Sequence, residues 1–174
     1  ILGAGCIGLM TLQACVLMGA ERIVVADVID RRLEKALQLG AWHVINGRKE
    51  DTVDRSRALF GGDGADIVFE TAGSRVTAMQ SFASVRRGGE VMIVGTIPGE
   101  TPVDFLKINR EVKVQTVFRY ANNFPMTIQA ISSGRFDVLT MVTDEYTYED
   151  VQKAFEESLS RKAEIIKGVI KISD

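Results

Sequence analysis

Short runs rich in Val and Ile recur along this chain, and stretches of helical periodicity separate them. RIVVAD (22–27), HVIN (43–46), ADIVFE (65–70), EVMIVG (90–95) and VKVQTVFRY (112–120) are the runs. They do not alternate apolar with polar, so each asks to be buried on both faces, as in a parallel sheet covered by helices. RRLEKALQLGA (31–41) carries apolar residues at Leu33, Ala36 and Leu37 and closes on Gly40. DTVDRSRALF (51–60) ends at Gly61 and Gly62, RVTAMQSFASVRRGG (75–89) reads as a helix with a glycine stop, and FPMTIQAISSGRF (124–136) begins at Pro125 and stops at Gly134. Right-handed crossovers then give an α/β fold: a doubly wound parallel sheet of the Rossmann type. The opening two residues, Ile1 and Leu2, are all that precedes the first glycine, so the first strand is expected to be truncated.

The rhythm breaks after residue 139. Residues 140–174 read as a small αβ tail: a short strand, then a helix from about Tyr148 to Leu159 and a strand over Gly168–Ile172. In that helix Val151, Ala154, Phe155 and Leu159 fall on one face and are expected to point inward. The domain division is therefore 1–139 for the sheet and 140–174 for the tail.

Composition excludes several classes. The formal net charge is −2, with 46% hydrophobic and 25% charged residues, so no basic field argues for nucleic acid. No apolar run is long enough to cross a bilayer, and no basic-then-apolar leader opens the chain, which points to the cytoplasm. Cys6 and Cys15 are not spaced as a metal knuckle, and one His is too few for a His/Cys site. They are expected to be reduced, buried thiols. His43, which opens a short strand, reads as a packed or surface histidine rather than a ligand.

Gly3, Gly5 and Gly8, with Cys6 and Ile7 between the last two, form G-x-G-x-x-G. The first glycine permits a tight turn out of a strand, the second lets the backbone approach a pyrophosphate, and the third lets the following helix pack close to the sheet. The N–H groups at that helix start, over Cys6 and Ile7, offer partial positive charge to phosphate. The helix, from Cys6 to about Met18, is apolar nearly all round and is expected to be buried. Asp27 ends the next strand about 20 residues on, where a carboxylate accepts hydrogen bonds from ribose hydroxyls and repels a 2′-phosphate. This favours NAD over NADP. Arg31 and Arg32 soften the preference, since a nearby Arg accommodates a 2′-phosphate. The alternative for Asp27 is a turn or helix-capping residue. A fold that binds S-adenosylmethionine also uses a glycine turn and an acid after the second strand. Gly8 and the strand–loop VGTIPG (94–99) suit a dinucleotide reaching across the switch point better.

Several segments in order, GAGCIGLMTLQACVLMGA (3–20), ADVIDRRLEKALQLGA (26–41), FETAG (69–73), GGEVMIVG (88–95) and VFRYANNFP (117–125), resemble the cofactor-binding half of zinc-dependent medium-chain alcohol dehydrogenases. Within them the chain is most similar to the polyol group, the sorbitol and xylitol dehydrogenases, and VFRYANNFP is the segment most specific to that group. The resemblance implies a C-terminal portion: a catalytic domain would come first, the zinc ligands would lie in it, and the tail from about Thr140 would return to it. It implies transfer of a hydride from a secondary alcohol of a polyol to NAD, giving a ketose. It implies that the backbone at Val94, Gly95 and Thr96 borders the nicotinamide and that Thr71 and Gly73 line the adenosine side. Arg119 would lie near the pyrophosphate or nicotinamide and reach toward substrate hydroxyls, while Phe118 and Tyr120 would help to wall the substrate pocket. No catalytic residue and no metal ligand is expected in the chain itself, so alone it would be inactive. The edge of the sheet near Val112–Phe118 would pair chains into homo-oligomers, dimers or tetramers. The alternatives are another zinc-type medium-chain enzyme, such as one acting on a hydroxy amino acid (threonine dehydrogenase-like), and a non-catalytic module that senses a nucleotide. Among other carboxylates, Glu70 either reaches the cleft or supports a loop, and Asp63 reads as a turn residue.

Overall fold

The computed structural model describes residues 1–173 except Asn109, with Lys107 and Ile108 described in backbone only. The chain falls into two compact units, Ile1–Ala121 and Asn122–Asp174, of which Asp174 lies outside the described residues.

The first unit is a run of alternating elements: α1 (Cys6–Leu17), β1 (Val24–Asp27), α2 (Asp30–Gln38), β2 (His43–Asn46), α3 (Thr52–Leu59), β3 (Ala65–Glu70), α4 (Arg75–Ser84), β4 (Val85–Ile93), α5 (Phe105–Ile108) and β5 (Lys113–Thr116). All pairings are parallel: β1 with β2, β3 with β4, and β4 with β5. What joins the two groups is the stub of the first strand. Leu2 bridges Ala26 of β1 on one side and Glu70 of β3 on the other. Its N–H donates to the Phe69 carbonyl at 2.8 Å, Gly3 N–H to the Ala26 carbonyl at 2.7 Å, and Thr71 N–H to the Leu2 carbonyl at 2.9 Å. The spatial order is therefore β2, β1, the Leu2 stub, β3, β4, β5. It is the Rossmann order, with its reversal point at Leu2.

The core explains why so short a stub holds. Leu2 is 4% exposed and sits in a buried cluster with Val24, Ala26, Ile45, Val68, Val85 and Val91. Leu59 from α3 and Phe82 from α4 pack against that cluster. Val25 points to the other face, and Leu9, Leu12, Leu33 and Ala36 of α1 and α2 are equally buried. Side-chain caps fix two helix starts. Asp51 accepts from the Asp54 N–H at 2.8 Å, and Ser74 accepts from the Thr77 N–H at 3.1 Å.

Several expectations are corrected. Helix α1 is not buried all round: Gly8, Leu9, Leu12 and Gln13 are inside, whereas Ile7, Val16, Leu17 and Met18 face outward. Helix α4 stops at Ser84 rather than at the glycine pair, and Gly88 and Gly89 lie within β4. Beside them the β3–β4 register shifts between Ala65 and Ile67, so the glycines serve an irregular ladder and not a helix end. Leu37 of α2 is largely exposed. The last strand is only Lys113–Thr116, and its residues are exposed. It pairs with β4 alone, at the edge of the sheet. Cys6 and Cys15 are free thiols, half-buried rather than buried. Burial pushes the Cys15 thiol above its ordinary pKa.

The second unit holds α6 (Phe124–Ser132), β6 (Asp144–Thr147), a 3₁₀ turn at Tyr148–Asp150, α7 (Val151–Ser160) and β7 (Gly168–Lys171), with β6 and β7 parallel. The short strand expected ahead of the helix is β6, and the first turn of the expected helix is the 3₁₀ turn. Arg161 ties the unit together, bonding Asp144 at 3.0 Å, Glu157 at 2.8 Å and Glu164 at 2.9 Å. Tyr146 donates to Glu157 at 2.8 Å. Phe155 and Leu159 do not point inward; they are 65% and 80% exposed. Val151 and Ala154 of the same stripe are half-buried, so the stripe is covered at its start and exposed at Phe155 and Leu159.

Candidate cofactor-binding site

The carboxyl ends of the Leu2 stub, β1, β3 and β4 meet at the reversal point, where open parallel sheets bind ligands. The glycine turn is built for close approach. Gly3 has φ +105°, a conformation L side chains avoid, and a Cβ there would lie 2.9 Å from the Ala72 nitrogen. A Cβ on Gly8 would overlap the Gly3 carbonyl oxygen and come within 2.8 Å of Thr71 Oγ1. Gly5 differs: the nearest atom to a Cβ there is Arg32 Nη1, at 4.0 Å. Space is open above Gly5, at the first turn of α1, whose N–H groups have no partner within the helix. That opening and the adjacent guanidinium suit a pyrophosphate.

Asp27 ends β1 as expected, but its carboxylate is already engaged. Oδ2 accepts from Ala4 N–H at 2.6 Å, and Oδ1 accepts from Val28 and Ile29 N–H at 2.7 and 3.0 Å. The first bond ties the glycine turn to the end of β1, and the other two shape the turn that follows Asp27. A carboxylate offers about four acceptor positions, so room remains for a ribose hydroxyl. The turn-residue reading and the cofactor reading of Asp27 are compatible. Cys6 and Ile7 sit at the start of α1, half-buried and exposed respectively.

Thr71 works on the protein side of the crevice. Its hydroxyl lies 3.0 Å from the Leu2 carbonyl and 3.1 Å from that of Gly3, clamping the loop after β3 onto the glycine turn. Gly73 has φ +68°, and a Cβ on it would lie 2.8 Å from the Thr96 carbonyl. A Cβ on Gly95 would strike the Gly73 nitrogen and stand 2.5 Å from Glu70 Oε2. The loops after β3 and β4 thus touch backbone to backbone, with Gly73, Gly95 and Thr96 at the contact. Thr71 and Gly73 follow β3, across the Leu2 stub from Asp27. Val94 and Gly95 both donate to the Glu70 carbonyl, at 2.8 and 2.9 Å.

The structure therefore brings together Gly3, Gly5, Gly8, Asp27, Arg32, Thr71, Gly73, Val94, Gly95 and Thr96. Phe118, Arg119 and Tyr120 follow β5, farther along the same sheet edge, and all are exposed. Arg119 has φ +56°, and its guanidinium lies over the Phe118 ring at 5.0 Å. Two participants were missed. Ala4 supplies the N–H that Asp27 grips, and Thr77 reaches back from α4 to Glu70 at 2.7 Å. The sequence held one signal for the second: an acid closing an otherwise apolar strand, followed by Ser and Thr at capping spacing. Among the described residues, no group of three or more His, Cys, Asp and Glu could hold a metal ion. No described helix is long and apolar enough to cross a membrane.

The comparisons agree with this geometry. A family model described as zinc-binding dehydrogenase matches residues 6–133. An uncharacterized zinc-type alcohol dehydrogenase-like protein of Escherichia coli is 66% identical over 174 residues, which are 100% of this chain and 50% of that protein. The sorbitol dehydrogenase of Bacillus subtilis is 38% identical, over 98% of this chain and 49% of its own length. A crystal structure of an Escherichia coli oxidoreductase/dehydrogenase of unknown specificity superposes with a TM-score of 0.97 at 65% identity, covering 99% of this chain and 50% of that one. The chain thus spans about half the length of the curated relatives it matches. With the reversal point, the glycine turn and these relatives in accord, the chain belongs to the zinc-binding dehydrogenases, the medium-chain alcohol dehydrogenase family, and corresponds to their C-terminal, cofactor-binding portion.

Proposed function

We propose that this chain is the NAD-binding portion of a zinc-type polyol dehydrogenase that oxidises a secondary alcohol of a polyol to a ketose. The observation that carries the reading is the open space above Gly5, framed by the start of α1, Arg32 and Asp27. Gly5 admits the pyrophosphate, the α1 N–H groups and Arg32 meet its charge, and Asp27 offers its remaining acceptor capacity to the adenosine ribose. Thr71 and Gly73 line the adenosine side, and Gly73 backs onto Gly95 and Thr96, which with Val94 form the wall along which the nicotinamide half extends. When bound, the nicotinamide supplies the hydride acceptor. The residues of this chain orient it, and the zinc falls to the part of the protein that this chain does not span. Arg119 and the aromatic pair beside it offer fixed donors and an apolar surface for a hydroxylated substrate. The polyol class rests on the sorbitol dehydrogenase likeness and on VFRYANNFP. Pairing of β5 edges into a homo-oligomer and a cytoplasmic location belong to the same reading.

The test uses the protein expressed from its complete reading frame, NAD⁺ and a panel of polyols, with simple primary alcohols and threonine as controls. Reduction of NAD⁺ by at least one polyol, and a loss of turnover in Arg119→Ala, are expected. Turnover confined to threonine or primary alcohols would overturn the polyol class, and unchanged kinetics in Arg119→Ala would remove that residue from the site.

A further inference from the structure

Glu70 is fully buried, yet it is a carboxylate standing where β3 opens into the crevice. It is the most connected residue there. Its carbonyl accepts from Val94 and Gly95 N–H at 2.8 and 2.9 Å, which holds the end of β4. Its Oε1 accepts from Ala72 N–H at 3.0 Å, Gly73 N–H at 2.9 Å and Thr77 Oγ1 at 2.7 Å, which holds the loop after β3 and the first turn of α4. Oε2 is buried with no hydrogen-bond partner among the described residues, packed against the Cα of Gly95. A buried carboxylate oxygen left unsatisfied is costly, and such groups are retained where geometry matters more than stability. Purely structural demands in the same place would be met by an apolar side chain and a conventional turn.

We propose that Glu70 is a positioning residue for the nicotinamide-side wall. Its charge draws the Ala72 and Gly73 N–H groups inward, and this presses Gly73 against Gly95 so that the Gly95–Thr96 backbone stands at a fixed distance from the glycine turn. It touches neither substrate nor cofactor and acts through Gly73 and Gly95. The inference rests on the dinucleotide reading above and adds to it which half of the ligand feels the residue. Asp27 lies on the other side of the Leu2 stub, and none of the hydrogen bonds given for it involves a residue that Glu70 holds, so the adenosine side keeps that anchor when Glu70 is altered.

The test is a pair of titrations on the protein expressed from its complete reading frame, with NADH and with ADP-ribose, which lacks the nicotinamide. In Glu70→Gln the shape is kept and the charge is lost. The Kd for NADH is expected to rise about tenfold, the weight of weakening charge-assisted bonds to neutral ones, while that for ADP-ribose stays within about twofold. Thr77→Val, which removes one donor from Oε1 and leaves the crevice backbone intact, is expected to shift NADH binding in the same direction by less. It serves as the second arm if Glu70→Gln does not fold. Equal weakening of both ligands would make Glu70 a merely structural residue and overturn the proposal, as would no change in either. Failure of the unaltered protein to bind NADH and ADP-ribose would instead overturn the dinucleotide reading, and this inference with it.

Discussion

Replacing Gly8 with Ala sets two physical effects against each other and shows which controls the glycine turn. In an exposed helix interior the change stabilises by about 1 kcal/mol, because Ala loses less backbone entropy than Gly. Here a Cβ on Gly8 would overlap the Gly3 carbonyl and stand 2.8 Å from Thr71 Oγ1. Both are held in place: Gly3 donates to Ala26, and the Thr71 hydroxyl bonds the Leu2 and Gly3 carbonyls. Neither can retreat without opening the ladder at the Leu2 stub, so α1 itself must move outward. Overpacking of this kind costs about 1–3 kcal/mol, which outweighs or cancels the propensity gain. A net loss of up to about 2 kcal/mol follows. Trp42 is the one tryptophan in the sequence, and its ring lies 6.5 Å from Phe60. Its fluorescence therefore reports urea unfolding of the sheet unit. Gly5→Ala is the matched control: a Cβ there meets nothing nearer than 4.0 Å, so stability should hold within about 0.5 kcal/mol while NADH binding falls. A Gly8→Ala protein stabilised by about 1 kcal/mol, the full propensity gain, would refute the packing argument.

Three further outcomes are expected. Leu2→Ala should cost about 2–4 kcal/mol by urea denaturation, because Leu2 is 4% exposed and joins β1 to β3. Asp27→Asn leaves one acceptor oxygen where three N–H groups now converge and turns an amide donor toward one set of them. It should destabilise the turn and narrow the preference for NADH over NADPH in paired titrations. In the second unit, the Tyr146 hydroxyl and then Arg161 hold the Glu157 carboxyl below its ordinary value of 4.5. A depressed carboxylate pKa contributes stability that is fully present above the ordinary value and is lost as pH falls through the lowered one. Amide hydrogen exchange in β6 and α7 should therefore quicken, relative to the sheet unit, only below about pH 4.5, and Glu157→Gln should abolish that difference.

The sheet was legible because its grammar is local. Non-alternating Val/Ile runs, helical stripes and glycine stops each carry their own signal, and right-handed crossovers narrow the ways to join them. The glycine turn was legible for the same reason, since Gly3 and Gly8 answer to nearby steric demands and Gly5 leaves space open beside them. What the residues could not reveal depended on partners distant in sequence. Val16, Leu17, Phe155 and Leu159 are apolar by composition, but nothing in their own segments says whether a neighbour covers them. The helix over 75–89 was drawn too long because Gly88 and Gly89 look like a stop. Only the register shift opposite Ala65 shows that they belong to a strand. Glu70 was left between two roles because an acid at a strand end looks alike whether it faces a cleft or grips a loop. Its five bonds come from residues spread between Ala72 and Gly95.

The central claim is that the crevice at the Leu2 reversal point binds NAD. Calorimetric titration of the protein expressed from its complete reading frame, with NADH and NADPH side by side, tests it most directly. The account predicts one site, tighter for NADH than for NADPH, and lost in Gly5→Ala. Absence of binding, equal or tighter binding of NADPH, or a Gly5→Ala protein that binds as well as the unaltered one would contradict it.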